Sequence, residues 1–164
     1  MRILGIDPGL AIVGYGIIDL VGSEISLVEY GVINTTADTP FTDRLDIIYK
    51  ELDDLIKEFN PDDMVLEELF FHKNQKTIIN VAQARGIEIL CGIHNNLPIY
   101  EYTPLEVKMA ITGYGRAQKR QMQESLKIYL NLSDIPKPDD AADRIAVAIC
   151  HAFGSAFKET HRMR

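Results

Sequence analysis

Asp7 closes the apolar run RILGID and is followed at once by Pro8-Gly9. A carboxylate in that place stands rigidly at the rim of a sheet, and the glycine gives a ligand close access to the backbone. The plainer alternative is a turn aspartate bonded to its own backbone. Glu67 and Glu68 end the run Met64-Val65-Leu66. Successive strand residues point to opposite faces, so only one of the two can share a face with Asp7, and the spacing does not choose between them. A charge at the end of a buried strand is costly unless it is paired or holds a metal; if both residues lie past the strand, in solvent, that cost vanishes. Asp140 and Asp143, within DDAAD, are three apart and so neighbours on one helical face. Ala141 and Ala142 between them let a helix approach a sheet closely. Aspartates in a first turn also suit the helix dipole without any further role.

Together these carboxylates say more than each does separately. Four of them, each at the end of a regular element, form an oxygen-only ligand set of the kind that selects Mg²⁺ or Mn²⁺. Such sites serve in-line displacement at phosphorus, with two metals flanking the attacked phosphate. Two divalent ions would cancel the four negative charges that otherwise repel a phosphodiester.

Between Tyr100 and Gln121, the cations Lys108, Arg116, Lys119 and Arg120 interleave with Tyr100, Tyr102 and Tyr114 around a Gly-Tyr-Gly loop. Cations for phosphates and aromatics for bases fit a nucleic-acid contact; a solvated helix face with core tyrosines is the alternative. Phe70-Phe71 runs into His72-Lys73-Asn74, which suits either an exposed wedge that unstacks bases or ordinary core. No phosphate-binding P-loop, dinucleotide fingerprint or GxSxG elbow is present. Cys150 and His151 are adjacent on a helix, about 100° apart, which makes a buried Cys beside a surface His a better reading than a catalytic pair.

The elements that must position these residues follow from periodicity. Residues 2–7, 13–20 and 25–33 read as three strands in an antiparallel meander. Leu45, Ile48, Leu52, Leu55, Ile56 and Phe59 recur at helical spacing, with Thr39 as N-cap, Pro40 in the first turn and Asn60-Pro61 as the stop. Met64–Leu66 is a short buried strand. A long helix over 74–96 carries Gly86 inside it, and a fifth strand follows over 97–102. Thr103-Pro104-Leu105-Glu106 is a capping box that opens a short helix. Further helices cover 117–130 and 139–156. In the last, Asp143, Val147, Cys150 and Gly154 form a packed stripe, while Arg144, His151, Ser155 and Lys158 form a polar one. The expected fold class is α/β: a five-stranded mixed sheet, three meander strands plus two parallel ones, flanked by helices. One domain over 1–158 is expected, with 159–164 a frayed tail.

Composition sets the outer bounds. At 164 residues and 46% apolar the chain can bury a core without staples. Two distant cysteines, Cys91 and Cys150, argue against a disulfide framework or a zinc site. The opening residues lack the layout of a signal peptide and no long apolar run exists, so the expected location is cytoplasmic. Net charge is −7, yet it is unevenly spread: residues 1–71 carry four basic and fifteen acidic side chains, residues 72–127 eight basic and four acidic. That asymmetry suits a polyanion-facing middle, although Lys-rich solvated helices would give it too.

GIDPGLAIVGYG, VLEELFFHKN, AQARG and PDDAADRIAVAICHA, in this order and spacing, resemble the RuvC family of Holliday-junction endonucleases over nearly the whole chain. Actin-like ATPases share the first string but need two such domains, and YqgF-type nucleases lack the other three. The resemblance implies an RNase H-like fold and a homodimer that nicks two opposed strands of a four-way DNA junction, leaving 5′-phosphate and 3′-hydroxyl ends. It implies metal ligands at Asp7, Glu67, Asp140 and Asp143, choosing Glu67 over Glu68, for two Mg²⁺ with Mn²⁺ as a substitute. It places active-site lysines at Lys108 and Lys119 and the junction wedge at Phe70. Further DNA contacts are expected at Phe71, Lys73, Asn74, Arg116, Lys119 and Arg120. The implied partner is the RuvA–RuvB branch-migration machine. A short C-terminal tail and an acidic balance depart from the pattern and bear on unaided DNA binding, which should be strongly salt-dependent.

Overall fold

A computed structural model of the chain describes residues 1–69, 75–134, 141–154 and 158–163. Strands β1 (Arg2–Asp7), β2 (Ile12–Val21) and β3 (Glu24–Asn34) form the antiparallel meander. Helix α1 (Phe41–Phe59) leads to β4 (Asp63–Glu67), helix α2 (Gln75–His94) to β5 (Ile99–Tyr102), and three helices follow: α3 (Pro104–Thr112), α4 (Lys119–Tyr129) and α5 (Ala141–Phe153). The sheet order is β3-β2-β1-β4-β5, with β4 parallel to β1 and β5 parallel to β4. This is the expected five-stranded mixed sheet.

Strand alternation sorts the core into two layers. Leu4, Ile6, Val13, Ile17, Met64 and Leu66 pack under α1 and α2, whose buried residues include Ile48, Leu52, Ala84 and Cys91. Ile3, Ile18 and Val65 face the opposite way, against α3, α4 and α5. Helix α1 begins one residue later than expected: Pro40 occupies the cap, no side chain caps the end, and Thr39 bonds to Thr36 instead. It stops where expected, at Asn60, in the left-handed conformation with φ 46°.

Helix α5 is buried nearly all round, because three glycines clear its bed. Gly5 and Gly16 face each other across β1 and β2, and Gly14 faces Asp7. A Cβ on Gly5 would stand 2.8 Å from the Arg144 carbonyl oxygen and 2.8 Å from a Val147 methyl, and one on Gly16 would stand 3.0 Å from Ile145 Cα. Ala142 and Ala146, also fully buried, supply the matching small surface on the helix. The two-stripe expectation for α5 is therefore corrected. Arg144 and His151, placed on a polar solvent face by helical spacing, are buried. His151 Nε2 lies 3.0 Å from Asp63 Oδ2 and its Nδ1 lies 2.9 Å from the Tyr102 hydroxyl. The tautomer that donates from Nε2 to the carboxylate leaves Nδ1 to accept from the tyrosine, so three buried polar groups satisfy one another.

The segment after α5 differs from the frayed tail expected over 159–164. The Glu101 N–H donates to the His161 carbonyl at 3.0 Å, the Met163 N–H donates to the Ile99 carbonyl at 2.9 Å, and Arg162 bridges to Tyr100. The His161 ring stacks on Tyr102 with centroids 4.3 Å apart. These bonds occupy backbone groups of β5 that an edge strand would otherwise leave unpaired.

Candidate active site

The strand pattern that builds the core also aims the carboxylates. On β1, Gly5 and Asp7 share the α5 side of the sheet with Ile3; on β4, Asp63 and Val65 share it with Glu67. The parallel register pairs Ile6 with Leu66, which brings Asp7 and Glu67 side by side at the C-terminal rim of the two central strands. Glu68 lies beyond the strand, exposed, with its backbone N–H donating to the Tyr102 carbonyl at 2.9 Å. The choice left open between the two glutamates is thus made by strand parity.

Asp143 comes from the first turn of α5. Across from it, α3 opens with Thr103 as N-cap in the reciprocal capping box with Glu106, and carries Lys108 two residues further on. Lys119 is the first residue of α4. These five side chains meet in one cleft of about 300 Å³, lined by Asp7, Glu67, Lys108, Lys119 and Asp143 over a floor that includes Val107, Met122 and Ala146. Lys119 Nζ stands 3.7 Å from Asp143 Oδ2.

Burial raises the Glu67 pKa to about 7, helped by the negative charges of Asp7 and Asp143 and opposed by Lys108. Such mutual repulsion is what a cation would relieve. The donor set fits a hard metal ion: among the described residues the cleft wall carries three carboxylates and neither thiol nor imidazole. Among the described residues no three acidic, histidine or cysteine side chains yet stand in metal-holding geometry. The fourth expected ligand, Asp140, lies outside the described residues, as do Phe70, Phe71, Lys73 and Asn74.

Of the residues expected to meet DNA, Arg116 and Arg120 are exposed, and Arg120 lines a separate shallow groove with Gln118, Gln121 and Glu124. Tyr114 is 56% exposed and free to stack. Tyr100 and Tyr102 are not: they are 2% and 3% exposed, and their rings pack against His151. They pack as core because α5 covers the face of β5 that they share, which a four-residue strand does not announce in its sequence.

Two charged residues that sequence reasoning missed adjoin the site. Glu88 on α2 is fully buried and acts on Asp7 electrostatically. Arg144, next to Asp143, is 4% exposed. A helical wheel places Arg144 off the packed face; only the depth at which α5 sits in its glycine bed buries it.

Comparison with known proteins bears on the family of the chain. The family model described as Crossover junction endodeoxyribonuclease RuvC matches residues 3–151. The chain is similar to the Crossover junction endodeoxyribonuclease RuvC of Finegoldia magna, 57% identical over 164 residues and covering 100% of both chains. Its relative of the same name in Clostridioides difficile is 51% identical over 160 residues, covering 98% of this chain and 95% of that one. Among solved structures, Thermus thermophilus RuvC superposes with a TM-score of 0.91 at 28% identity, covering 99% of this chain and 100% of that one. The same protein in complex with a Holliday junction substrate gives 0.90 at 26% identity, with the same coverage. By family match, sequence identity and superposition alike, the chain belongs to the RuvC family of crossover junction endodeoxyribonucleases.

Proposed function

We propose that the chain resolves four-way DNA junctions by metal-dependent hydrolysis of one phosphodiester in each of two opposed strands. The observation that carries this reading is the cleft in which Asp7, Glu67 and Asp143, from three separate elements, face Lys108 and Lys119. Asp7, Glu67 and Asp143, with Asp140 as the fourth, would hold two Mg²⁺, for which Mn²⁺ can substitute. Bound there, the ions supply charge neutralisation and an activated water. The chain's own groups do the rest. The carboxylates fix the ligand positions on a rigid strand rim, while Lys108 and Lys119 draw the scissile phosphate against them and offset the charge that develops on it. Water attack of this kind leaves a 5′-phosphate and a 3′-hydroxyl.

A homodimer matches the two-fold symmetry of the substrate. The exposed side of α2 supports its placement: Ile79, Leu90 and Ile93 are exposed apolar residues there, and Gly86 has open space where a Cβ would stand. Phe70 is assigned as the junction wedge, with Phe71, Lys73, Asn74, Arg116 and Arg120 as further DNA contacts. The branch-migration complex RuvA–RuvB is the proposed partner and the cytoplasm the proposed location; no helix among the described residues is long and apolar enough to cross a membrane. Residues 1–158 are proposed to act as one RNase H-like unit.

The test is cleavage of a labelled four-way junction and a matched linear duplex, with Mg²⁺ or with EDTA, by the wild-type protein and Asp7→Asn. The expected result is paired nicks in the junction alone, dependent on metal and lost in the variant. Equal cutting of the duplex would indicate a general nuclease. Binding without cutting, unaffected by Asp7→Asn, would leave a junction-binding protein without catalysis.

A further inference from the structure

Among the described residues, the buried side-chain nitrogens and oxygens that have no hydrogen-bond partner belong to Arg85, Glu88 and Arg144. Arg85 still reaches Glu101 through Nη2. Arg144 keeps both Nε and Nη1 buried and without an acceptor. A guanidinium cannot shed its proton, so unlike Glu88 it cannot escape the cost of burial by becoming neutral. Something close by must offset its charge.

Its position identifies the anion. The Arg144 side chain lies across Gly14, so that a Cβ there would collide with its Cγ, Cδ and Nε. Gly14 is the direct cross-strand partner of Asp7. Directly opposed residues on one face of an antiparallel pair hold their Cβ positions about 5 Å apart. The head of Arg144 therefore flanks Asp7 on the β2 side, while Glu67 flanks it on the β4 side. Asp143, the preceding residue on α5, brings a second carboxylate to the same corner. The glycine at position 14 has a purpose in this arrangement, since any side chain there would displace the guanidinium.

We propose that Arg144 is a resident counter-charge for the carboxylate centre: it offsets the negative charge there when no metal is bound, and it weakens the centre's affinity for divalent cations. The role rests on the proposed metal-binding function of Asp7 and Asp143. The cation and an incoming metal ion compete for the same carboxylates, so removal of the first should favour the second. Arg144 is a positioning residue here, acting through Asp7, and needs no contact with DNA.

Manganese binding tests this without reference to cleavage. Free Mn²⁺ is titrated by electron paramagnetic resonance against the wild-type protein, Arg144→Met, Arg144→Lys and Asp7→Asn, at one pH and ionic strength. The expected result is that Arg144→Met is half-saturated at a roughly tenfold lower Mn²⁺ concentration, while Arg144→Lys, which restores the charge, stays near the wild type. Equal or weaker uptake by a folded Arg144→Met protein overturns the role of Arg144 and leaves the metal site standing. No uptake by the wild type, or uptake untouched by Asp7→Asn, overturns both. If Arg144→Met does not fold by circular dichroism, Arg144→Gln removes the charge while keeping a polar head, and the same outcomes decide.

Discussion

Lys119 Nζ stands 3.7 Å from the Asp143 carboxylate, joining the first residue of α4 to the first turn of α5 at the mouth of the cleft. Both side chains are nearly half exposed, 44% and 43%. Exposed ion pairs of this length contribute little to folding. Under the proposed function, the pair holds the lysine ready at the place where phosphate would arrive. Lys119→Ala should therefore leave the melting temperature within about 2 °C of wild type. Junction cleavage should fall by roughly 10- to 100-fold, the usual cost of losing one charge-stabilising group. Thermal melts and single-turnover cleavage check the two halves.

Cleavage should also depend on pH through Glu67, whose pKa is raised to about 7 by burial and by Asp7 and Asp143. Its folded value lies above its unfolded value, so the neutral form is the favoured one without metal. That contribution to stability is fully present below pH 4.5 and is lost as pH rises through 7. With Glu67 as the proposed metal ligand, protons and metal would compete for the same carboxylate, so metal should bind less tightly below pH 7. Mg²⁺ titrations of cleavage at pH 6 and pH 8 should show roughly a tenfold higher half-saturating concentration at the lower pH, and Glu67→Gln should abolish cleavage at both.

Glu88 gives a stability signal of its own. Burial pushes its pKa up to about 8, with Asp7 adding to the rise and Arg85 opposing it. The sign is the same: the stabilising contribution of the neutral carboxyl is complete below pH 4.5 and is lost as pH rises through 8. Glu88→Gln, which copies the neutral shape, should flatten this dependence and become more stable than wild type by a few kcal/mol above pH 9. Urea denaturation from pH 5 to pH 9.5 measures it. Equal pH slopes for the two proteins would refute the assignment.

The glycine bed of α5 predicts a severe packing mutant that removes no charge. In Gly5→Ala the new methyl would stand 2.8 Å from the Arg144 carbonyl oxygen, a backbone atom that cannot rotate away. The helix must lift, at a cost of about 2–3 kcal/mol. Asp143 lifts with it, so cleavage should fall by more than the lost stability explains. Gly22→Ala is the contrasting case. Its φ of 63° strains a side chain, but nothing stands within 4 Å and the site is remote, so stability alone should drop. Chemical denaturation and cleavage of both variants separate the effects.

What could be read from the sequence alone was whatever local periodicity and turn chemistry dictate. The meander, the amphipathic α1 with its Asn60 stop, and the Thr103–Glu106 capping box all follow from residues within a few positions of one another. So does the placement of Asp7 and Glu67 at strand ends and of Asp143 in a first helical turn, because element boundaries are marked by local residues. What the spacing left undecided needed the sheet. Glu67 is separated from Glu68 only by which face of β4 meets α5, and that depends on pairing with β1, some sixty residues earlier in the chain. Tyr100, Tyr102, Arg144 and His151 each look half-solvated in their own segments; they are buried because α5 sinks into a bed that Gly5, Gly14 and Gly16 clear from two other strands. Burial is a property of everything that packs around a residue. Local sequence determined what each element is and where its functional side chains sit along it, and tertiary packing decided which of those side chains meet, which are hidden, and what charge they hold.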